Sequence, residues 1–166
     1  VTLTFLIGML CCTCVFLWIN ANYEDRLYKR LVNRILIDES SQHDKALDLL
    51  HAAHELVKPR EAIFADAAPR GIREIFLGSG DLALIEGSGN CGSYTHVLAR
   101  SLQAAGMQVR IAQMRCAKRW GCHILLEARV EDSWVVLDPS FDLAFFNQDG
   151  TLASFQQVRR DWQRHQ

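Results

Sequence analysis

A thiol, an imidazole and a carboxylate appear in the chain in an order suited to nucleophilic catalysis: Cys91, His123 and Asp138. Cys91 follows Asn90, a favoured N-cap residue, and opens a helix that runs to a stop at Gly106. At the first helical position, unpaired backbone N–H groups and the helix dipole favour negative charge. That stabilises the thiolate, the form of cysteine that attacks a carbonyl. Gly89, Gly92 and Ser93 leave the sulfur unobstructed. A thiolate nucleophile also needs a base and a group to orient that base. His123 lies near the start of GCHILLEARVEDSWVVLDPS, and Asp138 lies near its end. If Glu131-Asp132-Ser133 turns a hairpin, the start of its first strand neighbours the end of its second. Asp138 then accepts a hydrogen bond from one ring nitrogen of His123 and leaves the other for Cys91. The His–Asp pairing follows from the hairpin, and the approach of Cys91 is an expectation added to it. For an oxyanion, the backbone N–H of Cys91 is one donor candidate and the Asn90 side chain a second. Asn90 cannot cap the helix and serve that role together, and capping is its expected use.

Other reactive residues have simpler readings. Cys116 and Cys122 either stay free, the default, or pair across a short loop in an oxidising compartment. If they pair, Cys91 is the single free thiol of the soluble part. Cys116-x5-Cys122-His123 lacks the usual zinc spacing and an obvious fourth ligand, so no metal and no cofactor are expected. His51 and His54, three apart on one helix face, read as a solvated surface pair, and His96 as a core-edge or surface residue. Glu127 shares a strand face with His123 if the strand alternates, and is expected to hold the hairpin together with a core Trp134.

Several elements must position these groups. Ser41-x-x-Asp44 signals a helix start. Ala46, Leu47, Leu49, Leu50, Ala53, Leu56 and Val57 then recur at helical spacing until Pro59. Residues 60–70 read as helix or loop, 71–77 as a short helix, and 78–80 and 87–89 as turns. In the helix opened by Cys91, the residues Tyr94, Val97, Leu98, Ser101, Leu102 and Ala105 form one core-facing stripe. Strands are expected over 109–114, 124–130 and 134–137, the last two as an antiparallel hairpin. Helices followed by strands describe an α+β domain.

The chain has 166 residues, 49% hydrophobic and 22% charged, in the range of one globular domain. A formal net charge of −1 gives no attraction to nucleic acid, which is excluded as an expected partner. Residues 1–19 carry no charge at all. As a helix they span about 28 Å at 1.5 Å per residue, close to the roughly 30 Å bilayer core. Trp18 and Tyr23 fall where interfacial aromatics belong. A single-pass transmembrane anchor over 1–20 is the expected reading and a signal peptide its competitor. A juxtamembrane helix or linker follows over 21–40, then the domain over 41–166. Cys11, Cys12 and Cys14 lie inside the apolar run.

The stretch GNCGSYTHVLARSLQAAGMQVRIA resembles the nucleophile helix of transglutaminase-like proteins, and GCHILLEARVEDSWVVLDPS resembles their His-x-x-x-Glu…Trp-x-x-x-Asp-Pro block. The resemblance covers residues 87–140 with Cys, His and Asp in the family's order. The tail FDLAFFNQDGTLASFQQV is similar to bacterial members of cysteine peptidase type. Cys122 departs from the pattern, which has a small or polar residue before the histidine. The resemblance implies a papain-like core of helices packed on an antiparallel sheet. It makes Cys91 the nucleophile, His123 the base and acid, and Asp138 the orienting carboxylate. The reaction implied is acyl transfer on a protein or peptide amide, most simply as a peptidase or amidase. The alternative is an inactive binding module using the same cleft. Arg26, Lys29, Arg30 and Arg34 beyond the anchor favour a cytoplasmic domain by the positive-inside rule. Bacterial relatives tend to accompany cell-surface polymer genes, which tips the expectation slightly to the extracytoplasmic side.

Overall fold

A computed structural model describes residues 2–36, 40–58, 84, 89–116 and 119–161. The side chains of Cys116 and Cys122, and the turns and short helix expected over 60–88, lie outside that description. In chain order the elements are α1 (Thr2–Ile35), α2 (Gln42–Val57), α3 (Cys91–Ala104), β1 (Val109–Cys116), β2 (Arg119–Val130), β3 (Ser133–Asp138), β4 (Leu143–Ala144) and α4 (Phe155–Arg160). The strands form one antiparallel sheet in the order β1-β2-β3-β4. This is the α+β arrangement expected from the sequence.

The helix α1 has two halves with different surroundings. From Thr2 to Ile19 every residue is exposed, and the helix is long and apolar enough to be a membrane span or a signal sequence. The same helix continues without a break into the domain, where Tyr28 and Val32 are buried in the core.

Ser41 caps α2 by accepting from the Asp44 backbone N–H at 3.1 Å. The helix buries Ala46, Leu49, Leu50, Ala53 and Val57 of the stripe seen in the sequence, leaves Leu47 and Leu56 half-buried, and ends at Val57, shortly before Pro59. α3 is the central element, packed against α1, α2, β1 and β2. Being enclosed on several sides, it buries Ser93 and Thr95 as well as Tyr94, Val97, Leu98, Ser101 and Leu102. At its C-terminal end Gly106 has φ +84, a left-handed conformation that glycine takes without a Cβ penalty.

The β2–β3 hairpin turns at Glu131 and Asp132, and Glu131 donates its backbone N–H to the Gln42 side chain of α2 at 2.6 Å. The Arg110 guanidinium on β1 bonds the nearly buried Glu127 of β2 at 2.6 Å and lies 4.3 Å from the Trp134 ring centre on β3. These three side chains staple three neighbouring strands, a structural role for Glu127 and Trp134. Beyond β4, a bridge between Phe146 and Leu152 closes a second turn. A Ser154/Gln157 capping box then opens α4.

Leu98 is fully buried at the centre of α3. Leu98→Ala is expected to destabilise the fold by about 2–5 kcal/mol, read by urea denaturation of the chain in mild non-ionic detergent.

Candidate active site

Cys91 opens α3, half-buried, directly after the Asn90 cap. The Asn90 Oδ1 accepts from the Ser93 backbone N–H at 3.1 Å, so the side chain serves as the helix cap. That leaves the N–H groups of Cys91 and Gly92 with no acceptor among the described residues, as the first turn of a helix requires. Gly89 is needed before the cap because a Cβ there would come within 2.7 Å of both Ser93 Cβ and Val57 Cγ1. The N-terminus of α3 therefore sits hard against the end of α2.

Two contacts set this helix end beside β2. The Thr95 hydroxyl donates to the Ile124 carbonyl at 3.0 Å. A Cβ on Gly92 would lie 4.0 Å from Ile124 Cδ1. The residue before Ile124 is His123. Its position is set by a break in the β1–β2 register: Met114 pairs with His123 but Arg115 pairs with Trp120. Gly121 and Cys122 thus have no partners on β1, and the resulting bulge re-aims the strand immediately before His123.

His123 Nε2 lies 2.6 Å from the Asp138 Oδ2, across the hairpin as expected from the sequence. The carboxylate accepts from Nε2–H, which fixes the tautomer and leaves Nδ1 with a free lone pair. Asp138 is buried, and its second oxygen accepts from the Ser140 backbone N–H at 3.1 Å. Both oxygens are thus engaged, and the carboxylate cannot rotate away from the ring. Among the described residues, the Cys91 sulfur makes no hydrogen bond to His123. The two residues belong to elements tied together at Thr95 and Ile124.

The loop after Asp138 is held from α2. His54 Nδ1 lies 3.0 Å from the Pro139 carbonyl, and the His54 ring packs against Tyr94 of α3. His51 Nδ1 lies 2.7 Å from Asp142 Oδ2. His51 is exposed, as expected of a surface residue, while His54 is half-buried, and both have partners that the sequence reading did not name. Their spacing of three puts them on one helix face, but the partners come from a loop more than eighty residues away, which no local pattern reveals. Between the two ties stands Phe141, 71% exposed, its ring centre 5.6 Å from that of His123. His96 lies on another face of α3, edge-on to Tyr28 and 3.4 Å from Glu24, away from Cys91.

Residues 75–139 match the family model of the transglutaminase-like superfamily. The matched stretch runs through α3 and the first three strands to Pro139, and so contains Cys91, His123 and Asp138. Over those residues, less than half of the chain, the sequence is similar to the transglutaminase-like superfamily, which generally contains cysteine enzymes. No curated protein and no solved structure matches the chain.

Two outcomes follow from the ties around the site. Gly89→Ala is expected to cost about 1–3 kcal/mol through overpacking against Val57 and Ser93, seen as a lowered urea midpoint. The hydrogen bond that His51 donates to the Asp142 carboxylate, reinforced by its charge, raises the His51 pKa above its ordinary value. A raised folded pKa stabilises fully below the unfolded value, and the contribution fades as pH rises through the folded one. The stability gap between wild type and Asp142→Asn should therefore be larger near about pH 6 than near about pH 9, measured by thermal melting at both.

Proposed function

We propose that this protein is a membrane-anchored transglutaminase-like cysteine enzyme that cleaves or transfers amide bonds, most simply a peptidase or amidase. The observation that carries the reading is the 2.6 Å contact between His123 Nε2 and the buried Asp138 carboxylate, at the edge of the helix that Cys91 opens. The family match over the same residues supports it. In this reading the core is papain-like, and α1 retains its exposed apolar half as a single-pass anchor.

The reaction proceeds by acyl transfer. The Cys91 sulfur attacks the amide carbonyl while its proton passes to His123 Nδ1. The C–N bond then breaks and the amine leaves with the proton from His123. This gives a thioester on Cys91, which water opens to a carboxylate and free thiol, or a second amine opens to a new amide. Asp138 holds the imidazole in the tautomer that can take the proton and stabilises the imidazolium once formed. The tetrahedral oxyanion falls to the unpaired N–H groups of Cys91 and Gly92, since Asn90 is occupied as the cap. A donor of that kind is worth about 10²–10³ in rate.

A second reading, a binding module with the same cleft, draws on the missing hydrogen bond between Cys91 and His123. Alkylation separates the two. Iodoacetamide should label Cys91 faster than Cys116 and Cys122, keep doing so well below pH 8, and slow in His123→Ala, with adducts sited by mass spectrometry. Labelling of Cys91 no faster than of the other two would favour the binding module. On any substrate that is turned over, His123→Ala is expected to lower kcat by about 10²–10⁴.

A further inference from the structure

The uninterrupted course of α1 has consequences for where the site can act. Its apolar half ends at Ile19, flanked by exposed Trp18 and Tyr23 at the level of a membrane interface. Within that boundary region the polar Asn22 side chain is satisfied inside the helix, donating to the Trp18 carbonyl at 2.7 Å. No glycine or proline occurs between Ile19 and Ile35, so nothing in the sequence favours a hinge there.

Only a few residues later the same helix is locked to α3. Glu24 accepts from Arg100 Nε at 2.8 Å, and the Arg100 guanidinium lies 5.8 Å from the Tyr28 ring centre. Tyr28, 1% exposed, also meets His96 edge-on, and Val32 follows it into the core. The opposite face of α1 carries exposed Arg26, Lys29 and Arg30, so the helix is amphipathic only where it meets the domain. The helix that locks to α1 is the one that Cys91 opens.

We infer that α1 is a rigid strut that fixes the height of Cys91 above the bilayer, so that the site takes peptide amides tethered at that membrane surface rather than freely diffusing ones. At 1.5 Å per residue, Glu24 and Tyr28 lie about 8 and 14 Å beyond Ile19 along α1. Cys91 is five residues from His96, about 8 Å along α3. Even with the sideways step between the helices, the sulfur stays within about 30 Å of the hydrocarbon edge, and any tilt of α1 keeps it within that bound. A domain on a flexible linker would instead sample a range of heights set by linker length.

The strut rests on the anchor reading above and not on Cys91 being catalytically competent, whereas its consequence for the substrate rests on both. The test uses the full chain in phosphatidylcholine vesicles doped with a lipid whose headgroup carries a chloroacetamide on spacers of graded length. Mass spectrometry sites the adduct at Cys91 and gives the shortest spacer that captures it. Seven helix-forming residues inserted after Asn20 add two turns and keep the helical phase to within about 20°. They should lengthen the shortest capturing spacer by about 10 Å. A shortest spacer unchanged by the insertion overturns the strut. The rate of Cys91 with soluble iodoacetamide should stay within twofold on insertion, which shows that the domain remains folded. A chain recovered without residues 1–20 overturns the anchor and the strut together. A chain held in the vesicles with a slow Cys91 thiol but the expected spacer shift overturns the enzymatic reading and with it the substrate consequence, and leaves the strut standing.

Discussion

The hydrogen bond from the Thr95 hydroxyl to the Ile124 carbonyl is the constraint on which the candidate site depends. Thr95 lies one turn after Cys91, and Ile124 immediately follows His123, so one bond joins the thiol's helix to the imidazole's strand. Each side of it is then fixed by its own surroundings. The helix is enclosed by α1, α2 and the sheet, and the glycine at 89 lets it approach Val57. The strand is set by its hairpin with β3 and by the bulge at Gly121 and Cys122. A buried, well-packed helix end has few alternative positions, because protein interiors are close-packed and resist small displacements.

The carboxylate is managed differently. Asp138 ends a strand, where a loop could carry it away from His123. Instead the loop is tied on both sides of Phe141 by histidines of α2, one to a main-chain carbonyl and one to a carboxylate. These ties are partly exposed and individually modest. Their effect is conformational: they restrict the loop while both Asp138 oxygens are already engaged. They also account for Phe141 standing out in solvent beside the His123 ring, since a loop pinned at Pro139 and Asp142 cannot fold it inward.

Much of this was legible in the sequence where the signal is local or periodic. The α2 and α3 stripes, the Ser41 and Asn90 caps, and the hairpin about residues 131–133 all arise from neighbours within a few positions, and the His123–Asp138 pairing followed from that hairpin by register alone. What escaped was non-local. The stripe read from the sequence left out Thr95 and Ser93, because nothing in the sequence told that α3 is enclosed on more than one face. The histidines of α2 gave the spacing of a surface pair, and their true partners lie in a distant loop. The bulge before His123 had a faint trace in Gly121, but the register break appears only once β1 and β2 are laid side by side. The side chains of Cys116 and Cys122, on which a disulfide would rest, lie outside the described residues.

The pairing of α1 with α3 links two features the sequence presented as separate segments. An anchor needs only apolar length, and a linker needs only solubility, yet residues 24–32 supply neither alone. Tyr28 and Val32 fill the domain core, and Glu24 meets Arg100 above them. Burying Tyr28 removes a large aromatic surface from water, a contribution of about 2 kcal/mol or more, whereas the partly exposed Glu24–Arg100 pair adds little by itself. The apolar contact therefore supplies the affinity and the ion pair, with the guanidinium over the ring, selects the register. A helix held in one register by its far end cannot rotate or slide independently of the domain. Whatever environment surrounds Thr2–Ile19 is mechanically continuous with the helix that bears Cys91.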